Sequence, residues 1–83
     1  MNIPDTPEFS VYQFFIDGSY EMLCHFVLPE PASKIFASAT TSLGAQLGTT
    51  QRVIITDGGD CIVFEWIYGK GITFPPQGPD TVQ

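Results

Sequence analysis

The sequence predicts an α+β domain of the ββαββ type, in which two β-hairpins form a four-stranded antiparallel sheet with one helix packed on one face. Three observations support this fold. Strand-like runs flank a turn at Asp17-Gly18, further runs flank Asp57-Gly58-Gly59-Asp60, and a helical pattern lies between the two hairpins. We place the domain at residues 9–74, an N-terminal arm at 1–8, and a disordered or loosely held tail at 75–83.

The second hairpin carries the clearest signal. Gly58 and Gly59 can take the positive φ angles of a two-residue turn, which would set Asp57 directly opposite Asp60. Strand alternation then assigns to the core face Val53, Ile55, Ile62, Phe64 and Trp66. The other face receives Arg52, Ile54, Thr56, Cys61, Val63, Glu65 and Ile67. Arg52 and Glu65 would make a favourable pair there, whereas the opposed Asp57 and Asp60 would repel each other.

The first hairpin joins FSVYQFFI to SYEMLCHFVL. With Asp17 and Gly18 as the two turn residues, the predicted cross-strand pairs are Phe15 with Tyr20, Gln13 with Met22, Val11 with Cys24 and Phe9 with Phe26. The face opposite these pairs is also unusually apolar, because it holds Tyr12, Phe14 and Leu23.

A helix is predicted to follow Pro29 and Pro31, since proline is tolerated in the first helical turn. One apolar stripe runs along it, formed by Ala32, Ile35, Phe36, Ala39, Leu43 and Leu47. Gly48 suits the position just past the helix end. Serine, threonine and Gly44 lower the helix propensity, so this helix should depend on docking against the sheet.

The charge balance indicates the class of partner. Three basic residues against nine acidic ones give a formal net charge of −6, which argues against direct nucleic-acid binding and favours a protein partner with a basic surface. The predicted topology gathers five carboxylates at one end of the sheet, where the first strand and the helix begin and the second turn lies: Asp5, Glu8, Glu30, Asp57 and Asp60. We predict that Glu8, Glu30, Asp57 and Asp60 contact the partner. The alternative is that Asp57 and Asp60 are ordinary turn residues.

The face away from the helix is predicted to be a second interface. Its apolar members are Tyr12, Phe14, Leu23, Ile54, Val63 and Ile67, and a contiguous apolar face usually marks an interaction surface. A homodimer is the expected use. The alternative is that Ile72, Phe74 and the tail fold back over this face.

No motif predicts a catalytic, cofactor or metal site. Cys24 and His25 are neighbours on one strand, so their side chains point to opposite faces. Cys61 could meet His25 only in one arrangement of the hairpins, and a single histidine argues against the usual zinc sites. We expect both cysteines to be free thiols. Tyr68-Gly69-Lys70-Gly71 lacks the features of a phosphate-binding loop and is expected to be a bend. The sequence shows no membrane-spanning run and no signal peptide, so a cytoplasmic protein is expected.

The small size, the acidity, the two-hairpin design and the lack of a catalytic signature resemble the inhibitors of host defence that phages and prophages encode, including anti-CRISPR proteins. This is a resemblance of kind, and it carries over no functional positions. It implies a non-enzymatic inhibitor in the host cytoplasm that blocks a basic, nucleic-acid-binding surface of its partner. The alternative is a structural or assembly subunit of a phage or bacterial complex that uses the apolar sheet face.

Overall fold

A computed structural model describes residues 7–76 as an α+β fold with a five-stranded antiparallel sheet. The elements are β1 (Phe9–Phe15), β2 (Tyr20–Val27), α1 (Pro29–Thr40), α2 (Leu43–Leu47), β3 (Thr50–Thr56), β4 (Ile62–Ile67) and β5 (Gly71–Phe74). The predicted α+β class and the two hairpins flanking a helix are confirmed. The short helix α2 and the fifth strand are additions, and the regions 1–6 and 77–83 of the predicted arm and tail lie outside the described residues.

The two hairpins join through their inner strands, so the strand order is β2-β1-β3-β4-β5. β1 and β3 are central and carry the core, where Val11 and Val53 are fully buried and Ile55 is nearly so. From α1, Ala32, Phe36 and Ala39 pack onto these residues. The short alanine side chains allow the helix to approach the sheet closely.

The helix covers only part of the sheet, because α1 packs against β1, β2 and β3. A helix is about 10 Å across, whereas the outer strands of a five-stranded sheet are about 19 Å apart. The helix side of β4 is therefore only partly covered, through the Phe36 ring whose centroid is 5.9 Å from that of Phe64. We predicted Phe64 and Trp66 beneath the helix, but Phe64 remains 39% exposed and Trp66 is half-buried at the margin of the core.

The helical region breaks at Ser42. Its Oγ donates to the carbonyl of Ala39 at 2.8 Å and accepts from the N–H of Ala45 at 3.2 Å, so Ser42 starts α2 as its N-cap. The change of direction buries Ala45 and turns Leu43 and Leu47 outward, each 69% exposed. The prediction that these leucines continue the buried stripe is wrong. Gly48, with a φ of +88°, ends α2 as predicted.

Both hairpins close through three-residue loops rather than the predicted two-residue turns. In each loop the third residue takes a left-handed conformation: Gly18 has a φ of +90° and Asp60 a φ of +63°. Asp57 therefore lies opposite Cys61, with its N–H donating to the Cys61 carbonyl at 2.9 Å, and the predicted opposition of Asp57 and Asp60 is wrong.

The longer loop also shifts the register of the first hairpin by one residue near the turn. Tyr20 pairs with Phe14, Glu21 with Gln13 and Met22 with Tyr12. The predicted pair of Val11 and Cys24 is nevertheless present, because an irregularity in β2 restores the register.

Irregularities in β2 and β4 change the faces of two predicted interface residues. The register shift at Val11/Tyr12 turns Leu23 toward α1, where it lines a hollow with Ile35 and Ala39. The shift at Ile55/Thr56 likewise turns Val63 toward α1 and pairs Ile62 with Thr56 instead of placing it on the core face. The assignment of Leu23 and Val63 to the outer face is therefore wrong. A second register shift in the pairing of β1 with β2 lies between Phe9 and Val11, and Phe26 in this part of β2 has a φ of +53°.

Candidate functional site

The acidic end of the sheet, defined by Glu8, Glu30, Asp57 and Asp60, is built around the loop between β3 and β4. Glu8 precedes β1 and lies against this loop, so closely that a Cβ added to Gly58 would be 3.1 Å from its Oε1. Asp57 is half-buried, and its Oδ1 accepts from the N–H groups of Gly59 at 2.9 Å and Cys61 at 3.0 Å. Asp57 thus holds the loop in shape, while Asp60 is exposed to solvent.

Glu30 lies at the same end because α1 begins directly after β2, whose Val27 pairs with Phe9 at the start of β1. Its Oε2 is 3.6 Å from Nζ of Lys34, one turn along the helix. The two side chains are 81% and 76% exposed, so this ion pair holds Glu30 only weakly. Asp5, which we also assigned to this end, lies outside the described residues.

The other basic side chains of residues 7–76 lie at the opposite end of the sheet. Arg52 sits where β3 pairs with Ile67 of β4, and Lys70 follows in the loop between β4 and β5. Among the described residues, Lys34 is consequently the one cation near the acidic end. Glu8, Glu30, Asp57 and Asp60 thus lie at one end of the sheet, and Arg52 and Lys70 lie with Asp17 and Glu21 at the other.

An apolar groove runs beside the acidic end on the helix side of the sheet. Its main hollow, of about 280 Å³, is lined by Phe9, Pro29, Ala32, Ser33, Ile55, Val63 and Phe64. A neighbouring hollow of about 180 Å³ shares Ser33, Ile55 and Phe64 and adds Phe36 and Ile72. We call these two hollows together the helix-side groove. The sequence did not predict this groove, because Phe64 was expected to lie beneath the helix. The alternation of apolar residues does not indicate how many strands of the sheet one helix covers.

The outer face of the sheet exposes less apolar surface than predicted. Ile54 is only 6% exposed, and Tyr12, Phe14 and Ile67 are half-buried. β5 pairs beside β4 and extends the sheet, so the described part of the chain does not show Ile72 and Phe74 folded across this face. Most of the accessible apolar surface here comes instead from the edge strand β2, where Tyr20 is 64% and Met22 47% exposed.

A polar network crosses the outer face toward the end opposite the acidic one. Arg52 Nε donates to Glu65 Oε2 at 2.6 Å, and Thr73 Oγ1 donates to Glu65 Oε1 at 2.8 Å. The predicted pair of Arg52 and Glu65 is thus present, although the two residues are diagonal neighbours rather than directly opposed. The Thr73 hydroxyl and the Arg52 guanidinium lower the pKa of Glu65.

The thiols and the single histidine do not form a catalytic pair. Both cysteines are free; Cys24 is partly buried against the core, and this burial raises the pKa of its thiol. His25 stacks on Phe26, with ring centroids 3.9 Å apart. Strands β1 and β3 lie between His25 on β2 and the start of β4, which puts Cys61 on the order of 14 Å away. Within residues 7–76 no group of three or more His, Cys, Asp or Glu side chains could hold a metal ion.

Comparison with known proteins gave no relative: no protein-family model, no curated protein and no solved structure matches this chain. In the described part of the chain, neither helix has the length and apolar character needed to cross a bilayer.

Proposed function

We propose that this protein is a non-enzymatic binding module whose acidic end engages a basic surface on a partner protein. The observation that carries the proposal is the position of Glu8 against the loop that also holds Asp57 and Asp60, with the described cations other than Lys34 at the far end of the sheet. If the partner surface normally holds nucleic acid, occupation by these carboxylates would exclude the phosphates. The protein would then act as a competitive inhibitor, as the anti-defence proteins of phages do.

The acidic residues would contribute in different ways. Glu30 and Asp60 are exposed and Glu8 is half-buried against the loop, and each can pair with a lysine or arginine side chain of the partner. Asp57 already uses its carboxylate to accept two loop N–H groups, so it supports the shape of the acidic end and adds charge behind it. Surface carboxylates of this kind mainly raise the association rate and improve discrimination among partners.

A pair of matched double variants tests the proposal. Glu8→Gln with Asp60→Asn removes two charges at the acidic end, and Asp17→Asn with Glu21→Gln removes two from the opposite end. Each double variant carries a formal net charge of −4 instead of −6. Asparagine tolerates the left-handed conformation of residue 60 and can still accept the Ser19 N–H bond that Asp17 accepts at 2.9 Å.

The measurement is affinity capture from a lysate of the native host, with mass spectrometry and then titration against the captured protein. We expect the first double variant to lose most of the binding and the second to retain it, with circular-dichroism spectra unchanged in both. Equal binding by the two variants would show that the acidic end is not the contact surface.

A second candidate function is assembly through the edge of the outer face. It is favoured by the exposure of Tyr20 and Met22, whose neighbours form an aromatic cluster: the Tyr20 ring centroid is 5.6 Å from that of Phe14 and 6.3 Å from that of Tyr12. Such a contact would be permanent and largely apolar, and it could join two copies of the chain. Raising the ionic strength should weaken charge-led binding steeply and leave this assembly contact intact.

A further inference from the structure

We propose that the helix-side groove accepts an apolar side chain from a cationic amphipathic segment of the partner, while the lysine or arginine residues of that segment reach the acidic end. This inference rests on the proposed function and specifies the chemistry of the partner. It combines an apolar hollow and a charged rim that are contiguous in the fold.

The groove is an open apolar surface of limited size. Phe64 and Ile72 on its sheet side are 39% and 38% exposed, although the Phe36 ring of α1 lies 5.9 Å from the Phe64 ring, centroid to centroid. Its larger hollow, about 280 Å³, is just below the roughly 300 Å³ at which small-molecule pockets begin. A single leucine, isoleucine or phenylalanine side chain fits such a hollow better than a cofactor does. Ser33, exposed on α1, is the one hydroxyl-bearing residue of its lining.

The acidic end borders this groove at several points along the chain. Phe9 lines the groove and follows Glu8, and Pro29 lines it and precedes Glu30. Ile55 lines its floor, and β3 leads from there directly into Asp57 and the loop. A segment anchored in the groove therefore has carboxylates beside its anchor, and its cations can displace Lys34 from its weak pair with Glu30.

The carboxylates of the acidic end favour a cationic segment of another protein over a second copy of this chain and over the chain's own C-terminal residues. A second copy of the chain would bring another net charge of −6 and a second set of carboxylates to the same surface. The chain's own C-terminal residues 77–83 contain Asp80 and no lysine or arginine, so they cannot neutralise the acidic end. A segment from another protein that alternates apolar and basic residues satisfies both parts of the surface.

Three synthetic peptides test the inference by heteronuclear NMR titration of the full-length protein. The first alternates leucine with lysine, the second replaces each leucine by serine, and the third replaces each lysine by glutamate. We expect the leucine–lysine peptide to shift the amide signals of Ser33, Val63, Phe64 and Ile72 and to bind about tenfold or more tightly than the serine–lysine peptide. The leucine–glutamate peptide should not bind.

Two single variants locate the anchor without changing the charge. Ser33→Phe fills the groove from an exposed position of α1, and Ser38→Phe places the same bulk on an exposed position of the same helix that faces a different hollow. We expect Ser33→Phe to lose about tenfold in affinity for the leucine–lysine peptide, which brings it to the level of the serine–lysine peptide, and Ser38→Phe to bind as the wild type does.

The outcomes separate this inference from the proposed function. If serine–lysine and leucine–lysine peptides bind equally, and Ser33→Phe is silent, the groove is not an anchor site although the acidic end still binds cations. If the leucine–glutamate peptide binds as well as the leucine–lysine peptide, the groove is a purely apolar site and the cationic partner is overturned. Concentration-dependent shifts of the groove signals without peptide would identify a second copy as the occupant. Groove signals that shift when residues 77–83 are deleted would identify that segment instead.

Discussion

Asp57 and Asp60 belong to one loop and have separate roles in it. The Asp57 carboxylate accepts from two backbone N–H groups, whereas Asp60 supplies a left-handed backbone and an N–H that donates to the Asp57 carbonyl at 3.0 Å, and its side chain is exposed to solvent. Asp57 therefore acts as a turn residue, and Asp60 is the member of the pair whose charge is accessible to the proposed partner. Charge variants intended to test binding should change Asp60 and leave Asp57 in place.

The backbone of Asp60 predicts how substitutions there affect folding. Its φ of +63° is tolerated by asparagine and aspartate but costs other L-residues about 1–2 kcal/mol, and most of all β-branched ones. We expect Asp60→Asn to leave the free energy of unfolding nearly unchanged and Asp60→Val to lower it by about 1 kcal/mol. Urea denaturation measures both, and equal stability of the two variants would contradict the left-handed assignment.

Glu65 gives the fold a defined acid sensitivity. Its pKa is lowered from its ordinary value of 4.5, first by the Thr73 hydroxyl and then by Arg52. Because the folded-state pKa is depressed, this contribution to stability is fully present above pH 4.5 and is lost as the pH falls through the folded-state pKa.

Removing the Thr73 hydroxyl should reveal that contribution. We expect Thr73→Val to be less stable than the wild type by about 1 kcal/mol at neutral pH and the difference to shrink as the pH falls below 4.5. Thr73→Ser keeps the donor and serves as the control. Chemical denaturation at several pH values checks this, and a difference that stays constant with pH would exclude the hydrogen bond as its cause.

Alternation of apolar residues correctly assigned Val53 and Ile55 of β3 to the core beneath α1, although Ile54 on the other face is buried as well. It failed for Leu23 and Val63, because both hairpins contain irregularities that turn an extra residue toward the helix. Both faces of these strands carry apolar residues, and the few polar ones, such as Glu21 and Glu65, do not show where a shift by one occurs. The loop lengths were equally hidden, since Asp-Gly and Gly-Gly suit two-residue and three-residue loops alike.

At the scale of the element, the capping of a new helix by Ser42 overrides the regular apolar spacing that predicted a single helix. The apolar repeat runs from Ala32 to Leu47, but Ser42 can cap a new helix and its hydroxyl also satisfies the carbonyl of Ala39. The break turns Leu43 and Leu47 to solvent. A serine directly before an apolar residue was the available clue, and the regular spacing on both sides of it concealed the break.

Gly48 at the end of α2 provides a test of this segment. Its φ is +88°, and a Cβ there would lie 3.1 Å from the Tyr68 ring; Gly69 has a similar φ of +83° with nothing within 4 Å. We expect Gly48→Ala to lower the free energy of unfolding by about 2 kcal/mol and Gly69→Ala by about 1 kcal/mol, since only the first adds a clash to the backbone strain. Thermal unfolding compares them, and equal losses would show that Tyr68 moves freely.

The molecule as a whole is thin, and its main helix covers only part of the sheet. The fold measures 39 × 36 × 19 Å, with one main helix over a five-stranded sheet. The largest fully buried side chains among residues 7–76 are only Val11 and Val53. The α+β class and the position of Glu8, Glu30, Asp57 and Asp60 at one end of the sheet could be predicted because they follow from element order. The helix-side groove could not, because it depends on a fifth strand and on the reach of α1.

The homodimer remains a prediction at this scale. A small core gains stability when apolar surface is covered, so we expect the protein to associate through its exposed apolar edge and its melting temperature to rise with protein concentration. Light scattering across a range of concentrations measures the oligomeric state directly. A single monomeric mass together with a concentration-independent melting temperature would contradict the dimer.

The irregular pairing of β2 bears on how far any self-association can proceed. Its two register shifts and the positive φ of Phe26 interrupt the regular row of hydrogen-bonding groups that a further strand would need. β5 at the opposite edge has only four residues, and its own pairing with β4 contains a register shift between Glu65 and Trp66. Short and irregular edge strands disfavour pairing with another sheet, so both described edges of this sheet limit the addition of a further strand.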